Sequence, residues 1–326
     1  MKSSSSPRIL ITGATGFIGR RLLYRLDAMG FWVRCMTRKP EKFSLPFDLK
    51  NPPEVVAGDL LDPESLKKAL DGIDIAYYLV HSMGGKNFRE MKEFEKRDRT
   101  AAQNFVNAAD QSGLSRLIYL GGLGEMSGSL SHHLASRQEV GKILASGKTE
   151  ATILRAAVII GAGGAGFEII RYLVERLPVM LCPKWIYTQS QPIAVENVLD
   201  YLAGCLEVPE TAGATFDIGG PEVLTYAELI KKYARVRGLR RYIAGVPFFY
   251  TLLSTYWVAL ITPVPPGIVF PLAEGLRSPA VCRENQITGL IPLDLISMEQ
   301  AICNALAEEQ QGPGRLVSRQ ACFLPE

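Results

Sequence analysis

Short apolar stretches alternate with longer amphipathic ones over the first half of the chain. The apolar stretches are typical of buried strands and lie at 8–12, 32–37, 55–62, 74–80, 116–124 and 151–161. The amphipathic stretches between them predict helices, among them 20–30, about 63–70 and about 87–111. This alternation predicts repeated βαβ units and a parallel sheet covered by helices on both faces. Right-handed crossovers place the carboxyl ends of all strands at one edge, where such sheets bind their ligands.

The pattern changes after about residue 161. Helices are predicted at 195–207, 225–238 and about 297–310, with a strand near 214–220. Elements added late in such a chain usually cap the cleft. The sequence therefore predicts an α/β fold with a doubly wound parallel Rossmann sheet and a small, mainly helical C-terminal substrate or cap region. The predicted division is a dinucleotide-binding core at 1–160, the remaining Rossmann elements with the cap region at 161–312, and a tail at 313–326.

A glycine-rich stretch, TGATGFIG at 12–19, follows the first strand and opens the first helix. Gly13 permits a tight turn, Gly16 lets backbone N–H groups approach a pyrophosphate, and Gly19 lets the helix pack closely on the sheet. The positive end of the helix also favours an anion. A purely structural turn is the alternative, but this context predicts dinucleotide binding. The predicted contacts come from Gly13, Thr15, Gly16, Phe17, Ile18 and Gly19.

The end of the second strand, VRCMTRK at 33–39, decides which dinucleotide is favoured. NAD sites usually carry an Asp or Glu here for the ribose hydroxyls. This chain has Arg38 and Lys39 instead, and a guanidinium fits a phosphate in bidentate fashion. NADP(H) is therefore favoured over NAD(H), with Arg38 on the 2′-phosphate. Two solvated surface charges are the alternative, and Arg34 is a weaker candidate for the same role.

Residues at the ends of the later strands are predicted to complete the cofactor site. Asp59 and Leu60 follow the third strand and are expected beside the adenine. Asp59 accepts from the adenine amine or caps a local helix, although Asp62 fits the cap better. The other predicted contacts are with Leu79, Val80, His81, Gly121 and Ala156.

Composition narrows the class of protein. Apolar residues make up 47% of the chain and charged residues 21%, which excludes disorder, and a net charge of +3 without a basic stripe argues against nucleic acid. Six scattered cysteines without a CxxC pair predict reduced thiols, without a disulfide framework or a metal site. The polar start lacks an apolar run before a cleavage site, so we expect no signal peptide and a cytoplasmic location.

Several segments resemble the extended and atypical short-chain dehydrogenases/reductases. They include TGATGFIG, YYLVHSMG, SHHLASRQEVG, ILRAAVIIGAG and FDIGGPEVLTYAEL, and the resemblance spans about residues 8–300. The likeness is greatest to a bacterial group of NAD(P)-binding, epimerase-like proteins, which is also similar to the nucleotide-binding accessory subunit of respiratory complex I. The resemblance implies a parallel Rossmann sheet of about seven strands and a small C-terminal substrate region.

The same resemblance implies that the usual catalytic groups are replaced. The Tyr and Lys of the family's YxxxK motif fall on His133 and Arg137, the catalytic Ser/Thr falls on Gly121–Gly122, and the Asn falls loosely on Asp98. His133 is still able to act as an acid or base, with a pKa lowered by the guanidinium beside it. Arg137 is able to hold ribose hydroxyls or a phosphate but not to pass a proton. A structural His133 at the helix start is the alternative.

Residues 242–273 contain no charged residue and follow six basic residues without an intervening acid. Prolines at 263, 265 and 266 leave an apolar run too short to span a bilayer. One interpretation is a cap that lines the cleft for a hydrophobic substrate. The other is an interfacial segment that makes peripheral contact with anionic lipid. The two are compatible if the substrate is itself a membrane lipid.

The sequence therefore predicts an NADP(H)-dependent oxidoreductase acting on a small hydrophobic carbonyl, enone or quinone-like substrate. His133 or solvent would supply the proton. The alternative is a non-catalytic NADP(H)-binding redox sensor or assembly factor, which the replaced catalytic groups favour. The oligomeric state is not predicted.

Overall fold

The computed structural model describes residues 6–45, 48–81, 88–124, 131–246, 258 and 260–311. In these residues the strands, in chain order, are β1 (Ile9–Thr12), β2 (Val33–Thr37), β3 (Glu54–Ala57), β4 (Ile75–Tyr78), β5 (Arg116–Gly122), β6 (Glu150–Ala156), β7 (Ile159–Ile160), β8 (Val179–Pro183), β9 (Gln189–Ser190), β10 (Ile193–Ala194), β11 (Thr215–Ile218), β12 (Leu224–Thr225) and β13 (Tyr242–Val246). Seven of them form one parallel sheet in the order β11-β6-β5-β4-β1-β2-β3. The doubly wound Rossmann sheet predicted from the sequence is confirmed.

The helices of the described residues are α1 (Phe17–Ala28), α2 (Pro63–Leu70), α3 (Phe88–Ser112), α4 (His132–Leu144), α5 (Ala165–Arg176), α6 (Val195–Glu207), α7 (Tyr226–Val236), α8 (Pro266–Gly275), α9 (Gln286–Leu290) and α10 (Met298–Gln311). They cover both faces of the sheet. Leu22 of α1 and Val198 of α6 are buried in the core on one face, and Leu66 of α2 and Phe105 of α3 in the core on the other. Except for the edge strand β3, the strands between them are almost fully buried, as expected for their apolar sequences.

The C-terminal region has a core of its own. It joins α5, α7 and α10 around buried side chains such as Phe167 and Tyr233. Three two-stranded sheets, β7–β10, β9–β12 and β8–β13, lie outside the main sheet. A capping box at Thr225 and Glu228 fixes the start of α7. The C-terminal helices agree with the predicted cap region, and the predicted domain bounds stay a prediction.

A local signal sets the start of α2. Asp62 accepts a hydrogen bond from the backbone N–H of Glu64 and caps α2, as its position before Pro63 indicates. None of the described helices combines the length and the apolar character needed to cross a membrane. The predicted tail at 313–326 and the centre of the apolar segment 242–273 lie outside the described residues.

The cysteines differ in one respect from the expectation of reduced thiols. Cys35, Cys182, Cys205 and Cys282 are free, whereas Cys303 on α10 is disulfide-bonded. The prediction is therefore wrong at Cys303. Spacing along a sequence does not reveal which cysteines approach each other in space, and only that approach decides whether a bond forms.

Candidate functional site

A cavity of about 1190 Å³ runs along the carboxyl edge of the central sheet. The loops that follow β1 to β6 form one wall, and α8 with the start of α5 forms the opposite wall. The strand order reverses beside β1, between β1 and β4, which is the switch point where open α/β sheets bind ligands. The sheet topology therefore places the cavity where the sequence predicts the cofactor site.

The glycine loop shapes the cavity beneath the switch point. Gly13 has a positive φ of 76°, and a Cβ on it would lie 2.8 Å from the carbonyl oxygen of Leu79. A Cβ on Gly19 would lie 2.8 Å from the carbonyl carbon of Gly13, so only glycine lets the helix pack this closely. Gly16 caps α1 without a side-chain acceptor, and the first turn has no acid.

The first turn of α1 therefore suits an anion. Its N–H groups face no capping side chain or carboxylate of the turn itself, and the helix dipole is positive there. A pyrophosphate fits this cradle because a phosphate oxygen replaces the missing cap. The other predicted residues of the loop that also line the cavity are Thr15, Phe17 and Ile18.

Phe17 also packs against the loop after β7. Cβ atoms on Gly161 and Gly164 would lie 3.1 and 3.0 Å from its ring, so the loop after β7 packs directly on it. The guanidinium of Arg21 lies 4.5 Å from the same ring and donates to the carbonyl of Ala162 at 2.6 Å. Arg21 also pairs with the buried Glu308 of α10 at 2.6 Å. The phosphate loop is thus tied to the C-terminal region by a buried charge pair.

Cations stand at the end of β2. Arg38 and Lys39 are exposed and line the cavity, and Lys42 joins them from the next turn. Arg34, the weaker candidate, does not reach this edge, so that part of the prediction is wrong. It lies near the amino end of β2, where its Nε donates to Glu54 at 2.8 Å. Its Nη1 donates to the carbonyls of Ala69 and Asp71.

Asp59 lines the cavity but does not cap α2, which Asp62 caps, so the adenine contact stays a prediction. The Asp59 carboxylate accepts from the N–H of Leu61 at 2.9 Å, which closes a local turn, while the residue lines the cavity. Leu60 is buried, and its carbonyl accepts from Asn104 of α3 at 3.0 Å. Leu79, Val80, His81, Gly121 and Ala156, predicted as the remaining cofactor contacts, all line the same cavity.

Two histidines and an arginine meet in the cavity. The ring centroids of His81 and His133 are 6.1 Å apart. Arg137 donates through Nη2 to the carbonyl of Leu120 at 2.7 Å, whereas its buried Nε has no hydrogen-bond partner among the residues that the structure describes. Among the described residues no carboxylate forms an ion pair with Arg137. The third histidine, His132, is exposed beside α3 and does not line this cavity.

The glycine pair at the end of β5 explains how Arg137 reaches this position. A Cβ on Gly122 would lie 3.0 Å from Cδ2 of Leu134 and 3.2 Å from Nε of Arg137. The arginine stem therefore lies beside the space of a side chain at residue 122, one of the two glycines on which the resemblance places the family's Ser/Thr. The hydroxyl of Tyr119 donates to the Arg137 carbonyl at 3.1 Å and helps to fix this part of α4.

Both histidines in the cavity are held in the neutral form. Burial, followed by the Arg137 charge, lowers the pKa of His133 to about 3. Burial, Arg137 and His133 together lower the pKa of His81 well below its ordinary value. The predicted direction agrees for His133, but burial and not the guanidinium is the larger cause. An imidazole in this setting is a hydrogen-bond donor or acceptor and not a cation at neutral pH.

Sequence reasoning did not identify most of the residues on the cavity wall opposite the strand ends. Tyr226, the first residue of α7, lies there, as do residues of the loop after β7. That loop has the sequence GAGGAG at 161–166, and its glycines indicate a close approach of the backbone to another group. Asp98, the loose match to the family Asn, lines the cavity from α3. The apolar residues contributed by α8 and the turn after it are Pro271, Leu272 and Leu276.

A glycine turn feeding an uncapped helix at the switch point of a parallel sheet defines a dinucleotide-binding protein of the doubly wound α/β class. A family model described as NAD(P)H-binding matches residues 13–169, so this part of the chain is an NAD(P)H-binding domain. Proteins named as reductases are among the relatives of this chain.

Known proteins resemble most of the chain. It is 26% identical over 242 residues to a ceramide reductase of Caulobacter vibrioides, which covers 73% of each protein. It is 27% identical over 298 residues to NADH dehydrogenase [ubiquinone] 1 alpha subcomplex subunit 9, mitochondrial, of Arabidopsis thaliana, which covers 88% of this chain and 70% of that one. The predicted similarity to the complex I subunit is confirmed.

Solved structures share the fold. The triphenylmethane reductase of Citrobacter sp., complexed with NADP(H), has a TM-score of 0.69 at 19% identity and covers 91% of this chain and 99% of its own. A nucleoside-diphosphate-sugar epimerase and a short-chain dehydrogenase/reductase superfamily protein also share it. The predicted resemblance to epimerase-like and short-chain dehydrogenase proteins is therefore confirmed at the level of fold and NAD(P)-binding domain.

Proposed function

We propose that this chain is an NADPH-dependent reductase of a hydrophobic carbonyl, enone or quinone-like compound. One observation carries the proposal: a single cavity joins a cationic phosphate end to an apolar wall, with the His133–Arg137 pair on the helix between them. That helix, α4, packs against β5 on one side and against α8 on the other.

Different residues of the chain would bind different parts of the cofactor. The N–H groups at the start of α1 would hold the pyrophosphate, and Arg38 with Lys39 would hold the 2′-phosphate. Asp59 and Leu60 would lie beside the adenine, and the ends of β4, β5 and β6 beside the nicotinamide. The bound NADPH supplies a hydride, and the protein orients the substrate and excludes water.

His133 and Arg137 would donate hydrogen bonds to the substrate oxygen. In carbonyl reduction the carbon gains a hydride and the oxygen gains a proton. A pKa of about 3 leaves only about one imidazolium in 10⁴ at pH 7, so His133 offers a neutral ring N–H. Arg137 adds a permanently charged donor, and both would stabilise negative charge developing on the oxygen. The proton then comes from water, the second source that the sequence suggested.

The apolar cavity wall formed by α8 and the turn after it supports the proposed substrate class. Pro271, Leu272 and Leu276 offer no polar group from their side chains, so the wall favours an apolar body over a sugar. The Caulobacter relative is named a ceramide reductase, which supports a lipid-like substrate.

Calorimetry with NADPH and NADH tests the cofactor assignment. Arg38→Ala removes charge-assisted hydrogen bonds to the 2′-phosphate, each worth about 1.5–3 kcal/mol, so NADPH affinity should fall about 10- to 100-fold. NADH affinity should stay unchanged, and Lys68→Ala, an exposed cation on α2, should change neither. Equal affinities for NADPH and NADH in the wild type would overturn the preference.

Oxidation of NADPH against a panel of lipophilic aldehydes, enones and quinones tests the reaction. With an accepted substrate, His133→Ala should lower kcat about 10²-fold and leave NADPH affinity nearly intact. His133→Gln keeps an N–H donor and should recover part of the rate. Unchanged turnover in His133→Ala would remove this residue from the mechanism.

A second candidate is a non-catalytic NADP(H)-binding sensor or accessory protein. The glycine pair 121–122, His133 and Arg137 in place of the family's Ser, Tyr and Lys favour it, as does a relative named as a subunit of NADH dehydrogenase. Tight NADPH binding without substrate-dependent oxidation across the panel would support this candidate over the reductase.

A further inference from the structure

An apolar surface lies on the outside of the C-terminal region, away from the central sheet. Strands β8 and β13 pair in parallel, with Val179 opposite Tyr242 and Leu181 opposite Ala244. Met180 is buried between two residues that point outward, Val179 (57% exposed) and Leu181 (56% exposed). Tyr242 is 70% exposed. Alternate residues of a strand share one face, so the outer face of this sheet is entirely apolar or aromatic.

Tyr187 packs on the opposite face of the same sheet. Gly245 alternates with Ala244 along β13, and a Cβ on Gly245 would lie 2.6 Å from the Tyr187 ring. We call the set Val179, Leu181, Tyr242 and Ala244 the β8–β13 face. A few scattered apolar residues are ordinary on a protein surface, but a contiguous set on one sheet face marks an interaction site.

The chain segments that build the β8–β13 face carry no negative charge. No Asp or Glu occurs at 176–195 or at 229–273. The carboxylate at the edge of these segments, Glu175, already interacts with Tyr233, Arg171 and Arg237. The pairing of β8 with β13 thus brings two acid-free stretches, distant in sequence, onto one surface.

Cations flank both strands of this face along the sequence. Lys184 follows β8 directly, Arg240 and Arg241 precede β13, and Arg176 ends α5 just before β8. Arg176 donates to the carbonyl of Ile261, and Arg241 donates to backbone carbonyls. In the described part of the chain none of these four cations forms an ion pair with a carboxylate.

We propose that the β8–β13 face docks the protein onto the surface of an anionic membrane. Apolar side chains enter the boundary between headgroups and acyl chains, and the flanking cations meet the anionic headgroups. Tyrosine suits this boundary because its ring is apolar and its hydroxyl is polar. A symmetric contact between two copies would set one group of flanking cations against another, so charge argues against self-association here. The proposal does not depend on the cofactor or the reaction.

Flotation of the full-length protein with lipid vesicles tests the docking. We expect binding to vesicles of phosphatidylcholine with phosphatidylglycerol, weakening with salt, and little binding to phosphatidylcholine alone. Leu181→Asp should abolish binding, and Lys184→Ala with Arg240→Ala should weaken it about five-fold per cation. Val223→Asp, at a residue 46% exposed elsewhere, is the matched control for the first variant and should bind as the wild type does.

Three outcomes would overturn the proposal. The first is no binding to anionic vesicles, and the second is binding that Leu181→Asp leaves intact. The third is a dimer that forms without lipid and dissociates in Leu181→Asp, which would assign the face to a second copy. NADPH affinity measured on the same variants should stay at the wild-type value. That measurement separates failure of the docking from failure of the cofactor assignment and from misfolding.

Discussion

The charge state of His133 is the property on which the proposed chemistry depends most directly. The chain has three histidines, so their ring signals are few enough to follow by NMR in the intact protein. Burial and Arg137 lower the pKa of His133 to about 3 and that of His81 well below its ordinary value. We therefore expect neither ring to titrate between about pH 5 and pH 8, the range in which histidines ordinarily do. Arg137→Met should raise both pKa values.

The same shift makes the fold sensitive to acid. In the unfolded chain His133 takes up a proton near pH 6.5, and in the folded chain only near pH 3. Between these values the unfolded state holds more protons, so the free energy of unfolding falls as the pH falls. The slope is about 1.4 kcal/mol per pH unit for one histidine. His81 contributes in the same direction.

Urea unfolding at a series of pH values measures this slope. His133→Asn should unfold with a pH dependence shallower than that of the wild type by about 1.4 kcal/mol per pH unit below about pH 6. His132→Asn, at the exposed neighbour, is the matched control and should keep more of the wild-type slope. A His133 ring that titrates near pH 6.5, or coincident pH profiles for wild type and His133→Asn, would refute the reasoning.

Three further substitutions test the framework around the site. Gly19→Ala would force a Cβ into a backbone carbonyl of the glycine loop, so calorimetry should detect no NADPH binding, and retained affinity would contradict the close packing. Gly122→Ser should displace Arg137 and lower turnover at least about tenfold with NADPH affinity little changed, as steady-state kinetics would reveal. Glu308→Gln removes the carboxylate that pairs with the buried Arg21 and should lower the free energy of unfolding by about 3–5 kcal/mol, and a loss below about 1 kcal/mol in urea would argue against the pair.

The features that could be predicted are those that depend on residues close together in the sequence. A helix expected over about 87–111 is observed at Phe88–Ser112, because its amphipathic pattern is long and the Gly113 that follows it adopts a positive φ. The phosphate-binding shape of the loop after β1 could be predicted because its three glycines lie within eight residues of one another. His133 and Arg137 share a helix face because they are four residues apart.

The features that could not be predicted depend on contacts distant in sequence. The pairing of Arg21 with Glu308 joins residues 287 positions apart. The burial that dominates the pKa of His133 comes from packing around α4 that its own segment does not reveal. Arg34 and Arg38 look alike in sequence, and only the length of β2 decides which of them stands at the edge of the sheet.

The contact between Gly122 and Arg137 constrains how this lineage and the orthodox enzymes could interconvert. A serine at 122 would place its Cβ 3.2 Å from Nε of Arg137, so the arginine stem must shift by a few tenths of an ångström to admit it. We therefore expect the effect of a substitution at either position to depend on the residue at the other. A search for orthodox activity should exchange both residues together.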